Sequence, residues 1–419
     1  MKTNNNNKSN IDKASSVSMG WLWLYVVSVF LFLFVGCCKD DDSAAREPEQ
    51  RGGEPVPEEP TDNDTIVPLP PATDTAVWGK GSADDPYRVR TAEEWNRLMA
   101  LHGGDRNAFF RLATDFTLGN PMVCDTFCGH LDGNNMEVRL ANRSLFKVLN
   151  GGVIENVILN GAVSQLNSDN VMKIETSGGY NLYFGGLVCV SDNNAVIKNC
   201  VSKMDYDIQA EYGVTLAPIC GLMLSGTVDE CSSVGDIAVS SSRQNIIGGI
   251  VAEMRGASSK LINCMQVGRI AVDSYGDFAG IVSVVYDGSV LNCCTRAIMN
   301  TEHSSSNSGG VVSYCNGGVI DNCYFDGYLS GKLTSLLCYR INNGAQMRYC
   351  YAPQTDGLKL CDNNYGTIES CGFFRNGTQL EAVGYYGSNN VIDELNARAA
   401  TLEGARRWAL VEGNVAIVK

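Results

Sequence analysis

The chain has 419 residues, 44% of them hydrophobic and 19% charged, with 44 glycines, 17 cysteines and three histidines. Its formal net charge is −14, becoming −16 over residues 37–419, which excludes nucleic acid and anionic lipid as partners held by charge. With so few histidines, catalytic or metal chemistry would have to rest on other side chains.

Residues 1–20 are polar with Lys2, Lys8 and Lys13, and Trp21 to Val35 is a 15-residue apolar run that ends in Val35-Gly36-Cys37. A helix needs roughly 20 apolar residues to cross a bilayer, so this run is too short to span. Its charged leader, apolar middle and small residue before cysteine make residues 1–36 a signal peptide that resembles the lipobox type cut by lipoprotein signal peptidase. That resemblance implies Cys37 as the acylated first residue of the mature chain, with the membrane as a partner through the lipid. The following Lys39-Asp40-Asp41-Asp42 looks like the acidic export signal of Bacteroidota-type lipoproteins, and implies an outer-membrane, cell-surface location. A solvated charge run is the plainer reading of the same residues.

Residues 37–77 hold most of the 11 prolines, many acids and few apolar residues, so they read as an acidic, proline-rich tether. Asp42-Ser43-Ala44, Asp64-Thr65-Ile66 and Asp74-Thr75-Ala76 are similar to the O-glycan acceptor of the same bacterial phylum, which makes Ser43, Thr65 and Thr75 expected modification sites.

Folded structure is expected from residue 78. Residues 78–152 read as an amino-terminal cap with the first coils. Thr91 and Glu94 stand at capping-box spacing, and Trp95, Leu98 and Met99 fall on one face of the helix that follows.

Residues 153–390 are repetitive. Seven apolar phrases end in cysteine, at Cys200, Cys231, Cys264, Cys293, Cys323, Cys350 and Cys371, with spacings of 31, 33, 29, 30, 27 and 21. An eighth, Val153-Ile154-Glu155-Asn156-Val157, carries valine in the cysteine slot. Such a period is the mark of a solenoid.

In each phrase the residue three before the cysteine is apolar: Ile197, Val228, Leu261, Val290, Ile320, Met347 and Ile368. Alternate residues of a strand share a face, so two inward residues three apart need a bend between them. Asn199, Asn263, Asn292 and Asn322 fill that place, and asparagine tolerates the left-handed backbone of a sharp corner. Glycine-apolar strands such as Gly248-Gly249-Ile250-Val251 precede the corner, and Gly268 with Ile270 follow one. A unit thus holds about three short strands and no helix.

These phrases, with Gly81-Ser82-Ala83-Asp84-Asp85-Pro86-Tyr87 and Leu131-Asp132-Gly133-Asn134, resemble the GLUG-type repeat β-helices of bacterial surface proteins over roughly residues 78 to 419. Cys220-Gly221-Leu222-Met223 and Leu336-Leu337-Cys338 depart from that pattern. The expected fold is all-β: a parallel right-handed β-helix of about eight coils with short amino- and carboxy-terminal capping helices. Residues 391–419 form the second cap, an amphipathic segment with Leu395, Ala399 and Leu402 and a hairpin turning at Glu412-Gly413-Asn414. Both caps would prevent end-to-end stacking.

Valine at 157 can neither ligate metal nor form a disulfide, so the cysteine slot is read as core packing. Parallel in-register side chains fit disulfide geometry poorly. Mostly buried thiols are therefore expected, with Cys124 and Cys128, outside the ladder, the best candidates for a bond. His102, His130 and His303 do not cluster and no CxxC pair exists, so no metal and no cofactor are expected. Glu155, Asp229, Asp321 and Glu369, two before the cysteine slot, alternate with Lys198, Ile262, Leu291 and Arg348, and read as a solvated outer face rather than an active site.

A contact surface remains. Tyrosines recur near the turns, among them Tyr183, Tyr206, Tyr212, Tyr275, Tyr286, Tyr314, Tyr324, Tyr339, Tyr351 and Tyr365, and are flat amphipathic platforms for sugars or proteins. The insertion from Gln165 to Tyr180 breaks the repeat, as binding-face insertions in solenoids do, which singles out Asn167, Asp169, Asn170 and Tyr180 as ligand contacts. The expectation is a monomeric, lipid-anchored surface protein with no catalytic residues and an adhesin-like role towards glycan or protein. A β-helix polysaccharide-degrading enzyme and a structural envelope component are the alternatives.

Overall fold

A computed structural model describes residues 78–418, except 168, 177, 178, 302, 376–378 and 382–389. Cys37, Lys39, Asp40, Asp41, Asp42, Ser43, Thr65 and Thr75 lie outside the described residues.

The regular structure of the described chain is mostly strand, with two longer helices, α1 (Ala92–His102) and α2 (Val391–Ala399). One coil shows the plan. Asn245–Gly248 lies in a wall sheet, Val251–Met254 in a floor sheet, Lys260–Ile262 in a corner sheet, and Met265–Gln266 with Arg269–Asp273 in a post-corner sheet. The next coil repeats the circuit from Gly276–Ala279, paired parallel with Asn245–Gly248. The corner sheet has 11 strands and the floor sheet nine, each strand hydrogen-bonded to its counterpart one repeat away. This is the layout of a β-helix or solenoid. The irregular stretches keep register, Cys220 pairing with Val188 and Val251, and Cys338 with Val312 and Cys361.

The corner is left-handed at every repeat. Asn156, Asn199, Asn263, Asn292 and Asn322 have φ between 50° and 57°, and Glu230, Tyr349 and Ser370 take the same place at 54°, 51° and 54°. Asparagine does more than tolerate the turn. Asn199 Nδ2 donates to Asn156 Oδ1 (2.7 Å), Asn292 Nδ2 to Asn263 Oδ1 (2.8 Å) and Asn322 Nδ2 to Asn292 Oδ1 (2.7 Å), so the corners are tied rung to rung.

The cysteine after each corner is inside. Besides filling space, its thiol donates to the carbonyl two residues back, as Cys264 does to Ile262 (3.2 Å) and Cys293 to Leu291 (3.1 Å). Burial pushes the thiols of Cys200, Cys264, Cys293 and Cys350 well above their ordinary range, so these four are neutral donors. Cys124 is likewise a buried thiol and donates to the Thr126 carbonyl (3.1 Å) rather than bridging to Cys128.

Helix α1 covers the first coils as its pattern requires. Thr91 Oγ1 accepts from the Glu94 amide (3.2 Å), and Trp95, Leu98 and Met99 are buried, Trp95 against Phe116 and Phe146. The Glu94 carboxylate reaches the Arg90 amide (2.8 Å) instead of closing the box on Thr91.

The carboxy-terminal segment departs from expectation. α2 and the hairpin Arg407–Val411 / Asn414–Val418 form, with Glu412 and Gly413 at the turn, but they lie along the flank of the stack, not over its last rung. Val391, Leu395, Trp408 and Val415 pack on Cys294, Tyr324 and Tyr351. The asparagine ladder receives the backbone: Asn322 Nδ2 donates to Leu395 O (3.0 Å), Asn292 Nδ2 to Arg406 O (3.0 Å) and Asn263 Nδ2 to Gly404 O (2.9 Å). Trp408 Nε1 donates to Asn292 Oδ1 (2.6 Å).

Two ion pairs close this interface, and one overturns the reading of the corner acids as solvated. Asp321 is 0% exposed and takes a fork from Arg398 of α2, Nε to Oδ1 at 2.9 Å, with Arg348 at 3.2 Å. Arg406 pairs with Glu230 (Nε to Oε1, 2.9 Å). The position that looks solvent-facing in sequence is where the tail docks.

Candidate ligand groove

The proposed contact loop folds around its own polar groups. Asn170 is buried: its Nδ2 donates to Asn142 O and Gln165 O (both 2.8 Å), and its Oδ1 accepts from the Asn167 amide (2.7 Å). Asn167 Oδ1 accepts in turn from the Asp169 amide (2.9 Å). These groups hold the loop's shape, with Asn170 turned inward and Asn167 and Asp169 exposed. Tyr180 sits in the antiparallel hairpin Met172–Thr176 / Gly179–Gly185, its backbone opposite Glu175, and its side chain is outside the described residues. Several tyrosines expected at the surface are inside: Tyr183, Tyr206, Tyr324, Tyr339 and Tyr351 are buried, whereas Tyr275, Tyr286 and Tyr365 are exposed.

A different site emerges where wall and floor meet. Their inward residues, such as Ile247 and Phe278 on the wall and Val251 and Met254 on the floor, enter the core. The alternate residues therefore face outward. In register these are Tyr183, Thr215, Ile246, Asp277, Asn307 and Leu333 on the wall. On the floor they are Val190, Leu222, Glu253, Val284, Tyr314 and Arg340.

The bend between the two faces is tight. A Cβ on Gly249 would stand 2.0 Å from the Gly280 carbonyl oxygen. The outward faces consequently lean together, so that Tyr183 Oη on the wall donates to Glu253 Oε2 on the floor (3.2 Å), and Ser313 Oγ on the floor to Asp277 Oδ1 on the wall (3.1 Å). Met172 and Ile174 of the hairpin pack over Tyr183, Cys189, Val190 and Leu222 and close one end. The other end is open along Arg255, Tyr286, Tyr314 and Arg340.

Charge is concentrated where the strips should be apolar. Glu253 is 1% exposed in a strip otherwise carrying Val190, Leu222 and Val284, and a buried carboxylate is expensive without partners. It has them: Arg255 Nε binds its Oε1, and Arg255 Nη2 also reaches Tyr183 Oη (3.2 Å). Burial works against the Arg255 charge, but Glu253 and Tyr183 hold the guanidinium above its ordinary value. Burial and then Glu253 push the Tyr286 phenol up to about 12. Burial raises Asp277 above its ordinary value, against hydrogen bonds from Asn307 (3.1 Å) and Ser313 and the attraction of Arg340.

Tyr286 is 37% exposed and lies edge-on to Tyr314 at 6.3 Å between centroids. Arg255 stands over Tyr286 (5.4 Å), and Arg340 over Tyr314 (5.8 Å) and Tyr339 (5.9 Å). The groove thus offers flat aromatic surface, two carboxylates and two guanidiniums. Among the described residues no group of three or more His, Cys, Asp and Glu has a metal-holding arrangement, and no helix is long and apolar enough to cross a membrane.

No family model matches the chain, and no curated protein matches it. Among solved structures, a putative immunoglobulin A1 protease from Bacteroides ovatus is similar, with a TM-score of 0.52 at 15% identity over 81% of this chain and 94% of that one. At that identity the likeness concerns the fold.

Proposed function

We propose that the chain is a lipid-anchored, cell-surface β-helix protein that binds an extended glycan in the groove between wall and floor, in an adhesin-like role. The helix is right-handed, with about eight regular coils, one for each corner phrase between residues 153 and 371. The observation that carries the binding reading is the break in the floor strip, where Glu253 replaces an aliphatic residue beside exposed Tyr286. Local rules are broken at functional sites, because a buried charge there costs stability and returns none. The surface location rests on Cys37 and the acidic residues after it. A metabolic lipid label should be lost in Cys37→Ala, and failure to label the wild type would remove the anchor.

Binding is tested by applying the full-length chain to glycan and matrix-protein arrays, with product analysis of each polysaccharide retained. Saturable retention lost in Tyr286→Ala and Glu253→Gln, with no product, is the expected result. One observation favours a second reading, a polysaccharide-acting enzyme: Asp277, with its raised pKa, shares the groove with Glu253, as acid and base groups do in carboxylate chemistry. Released oligosaccharides would move the assignment there. The protease named among similar structures contributes the fold to this reading and no residue.

A further inference from the structure

Resting on the groove reading, we infer that the ligand is an acidic saccharide whose carboxylate or sulfate is held by Arg340. Among the described residues the two groove guanidiniums are in opposite states. Arg255 is consumed by Glu253 and Tyr183. Arg340 is half-buried, stacked on Tyr314 and Tyr339, and makes no hydrogen bond or ion pair through its guanidinium to another described residue.

An arginine fixed by two rings and with its donors unspent is preorganised for a planar or tetrahedral oxyanion, since the fork matches such anions with two parallel hydrogen bonds. On the facing wall Asn307 Nδ2 donates to Asp277 Oδ1, which leaves Asp277 Oδ2 and the second Asn307 N–H, at the spacing of one coil, for ring hydroxyls, and Tyr286 supplies a platform for a sugar's C–H face.

A saccharide is favoured over an acidic peptide by the backbone. The floor strand that carries Arg340 is paired on both sides, Arg340 itself with Tyr314 and Asn363, so the floor offers no free strand edge to an extended chain, while the wall's last strand, Leu333–Ser335, is paired on one side. On the floor, recognition passes through side chains, and those present are suited to hydroxyls and an anion.

The test is isothermal titration of the full-length chain with uronate, sulfated and neutral oligosaccharides of equal length, and with oligoglutamate. Wild type is expected to prefer the uronate or sulfated series, the two arms telling carboxylate from sulfate. Arg340→Gln should weaken that binding about ten- to hundredfold and leave neutral oligosaccharides unaffected. Arg340→Lys should recover part of the affinity. Preference for neutral oligosaccharides, or equal affinity for oligoglutamate, overturns the acidic-saccharide assignment while Tyr286→Ala still reports on the groove. Unchanged binding in both Arg340→Gln and Tyr286→Ala, with circular dichroism as in wild type, overturns the groove itself.

Discussion

Two flanks of one stack bury charge to opposite ends. At the corner flank Asp321 is fully enclosed and answered by Arg348 and Arg398, and the asparagine ladder is answered by the backbone of the carboxy-terminal segment. At the wall–floor groove Glu253 is equally enclosed, but nearby Arg340 makes no hydrogen bond or ion pair to another described residue and Tyr286 is open to solvent. The first arrangement completes itself. The second, on the proposed reading, is completed by a ligand, and that contrast, more than charge or burial alone, is what the following variants probe.

The sharpest way to break the comparison is at Asp321. Asp321→Ala leaves Arg348 and Arg398 without their buried counter-charge, and should lower stability by about 3–5 kcal/mol in denaturant titration, because the uncompensated charges remain. Limited proteolysis should then cut first in the carboxy-terminal segment. In the groove, removing both partners together, Glu253→Leu with Arg255→Leu, should be neutral or stabilising by about 1–4 kcal/mol while abolishing ligand retention. A large loss of stability there would make the groove a structural flank like the other.

The core ladder between the two flanks should respond less. Cys264→Val places in one coil what Val157 places in another, and should cost under about 1.5 kcal/mol despite the lost thiol donor. Cys361 and Cys371, half-buried near the last rung, should react with a thiol reagent in the native protein, whereas Cys264 and Cys293 should not.

Smallest is the effect at Asp277. Its folded pKa lies above the unfolded one, so the folded chain holds the proton more tightly and stability falls as pH rises through that interval. Asp277→Asn should therefore have a slightly higher Tm than wild type at pH 7, and the difference should shrink as pH falls below the unfolded carboxylate value. A difference that grows in acid would contradict the raised pKa.

The corner, α1 and the closing hairpin were legible because each is local: a three-residue spacing with asparagine, a cap and an apolar face, and a glycine turn between apolar runs. The course of the carboxy-terminal segment was not, since Arg406 meets Glu230 and Leu395 meets Asn322 across 176 and 73 residues. Asp321, two before its cysteine, reads as solvated because nothing nearby in sequence announces the segment that covers it. The groove was missed for a question of phase. Acids were sought beside the corner, whereas Glu253 and Asp277 lie on the other two faces, and the signal was an aliphatic column, Val190, Leu222 and Val284, interrupted once. The loop at Asn167 and Asn170 drew attention by its polarity, and that polarity is spent inside it.

The docking of the tail on successive corners also gives the chain a ruler. Gly404, Arg406 and Leu395 each meet one asparagine, on three consecutive rungs. A coil lost or slipped in assembly would set those rungs out of step with a segment of fixed spacing, and the buried Asp321 would lose Arg398. The segment from Val391 to Val418, made after the coils it covers, thus seals the stack when those coils are counted and aligned correctly, and leaves a mis-stacked one with a loose segment open to proteolysis.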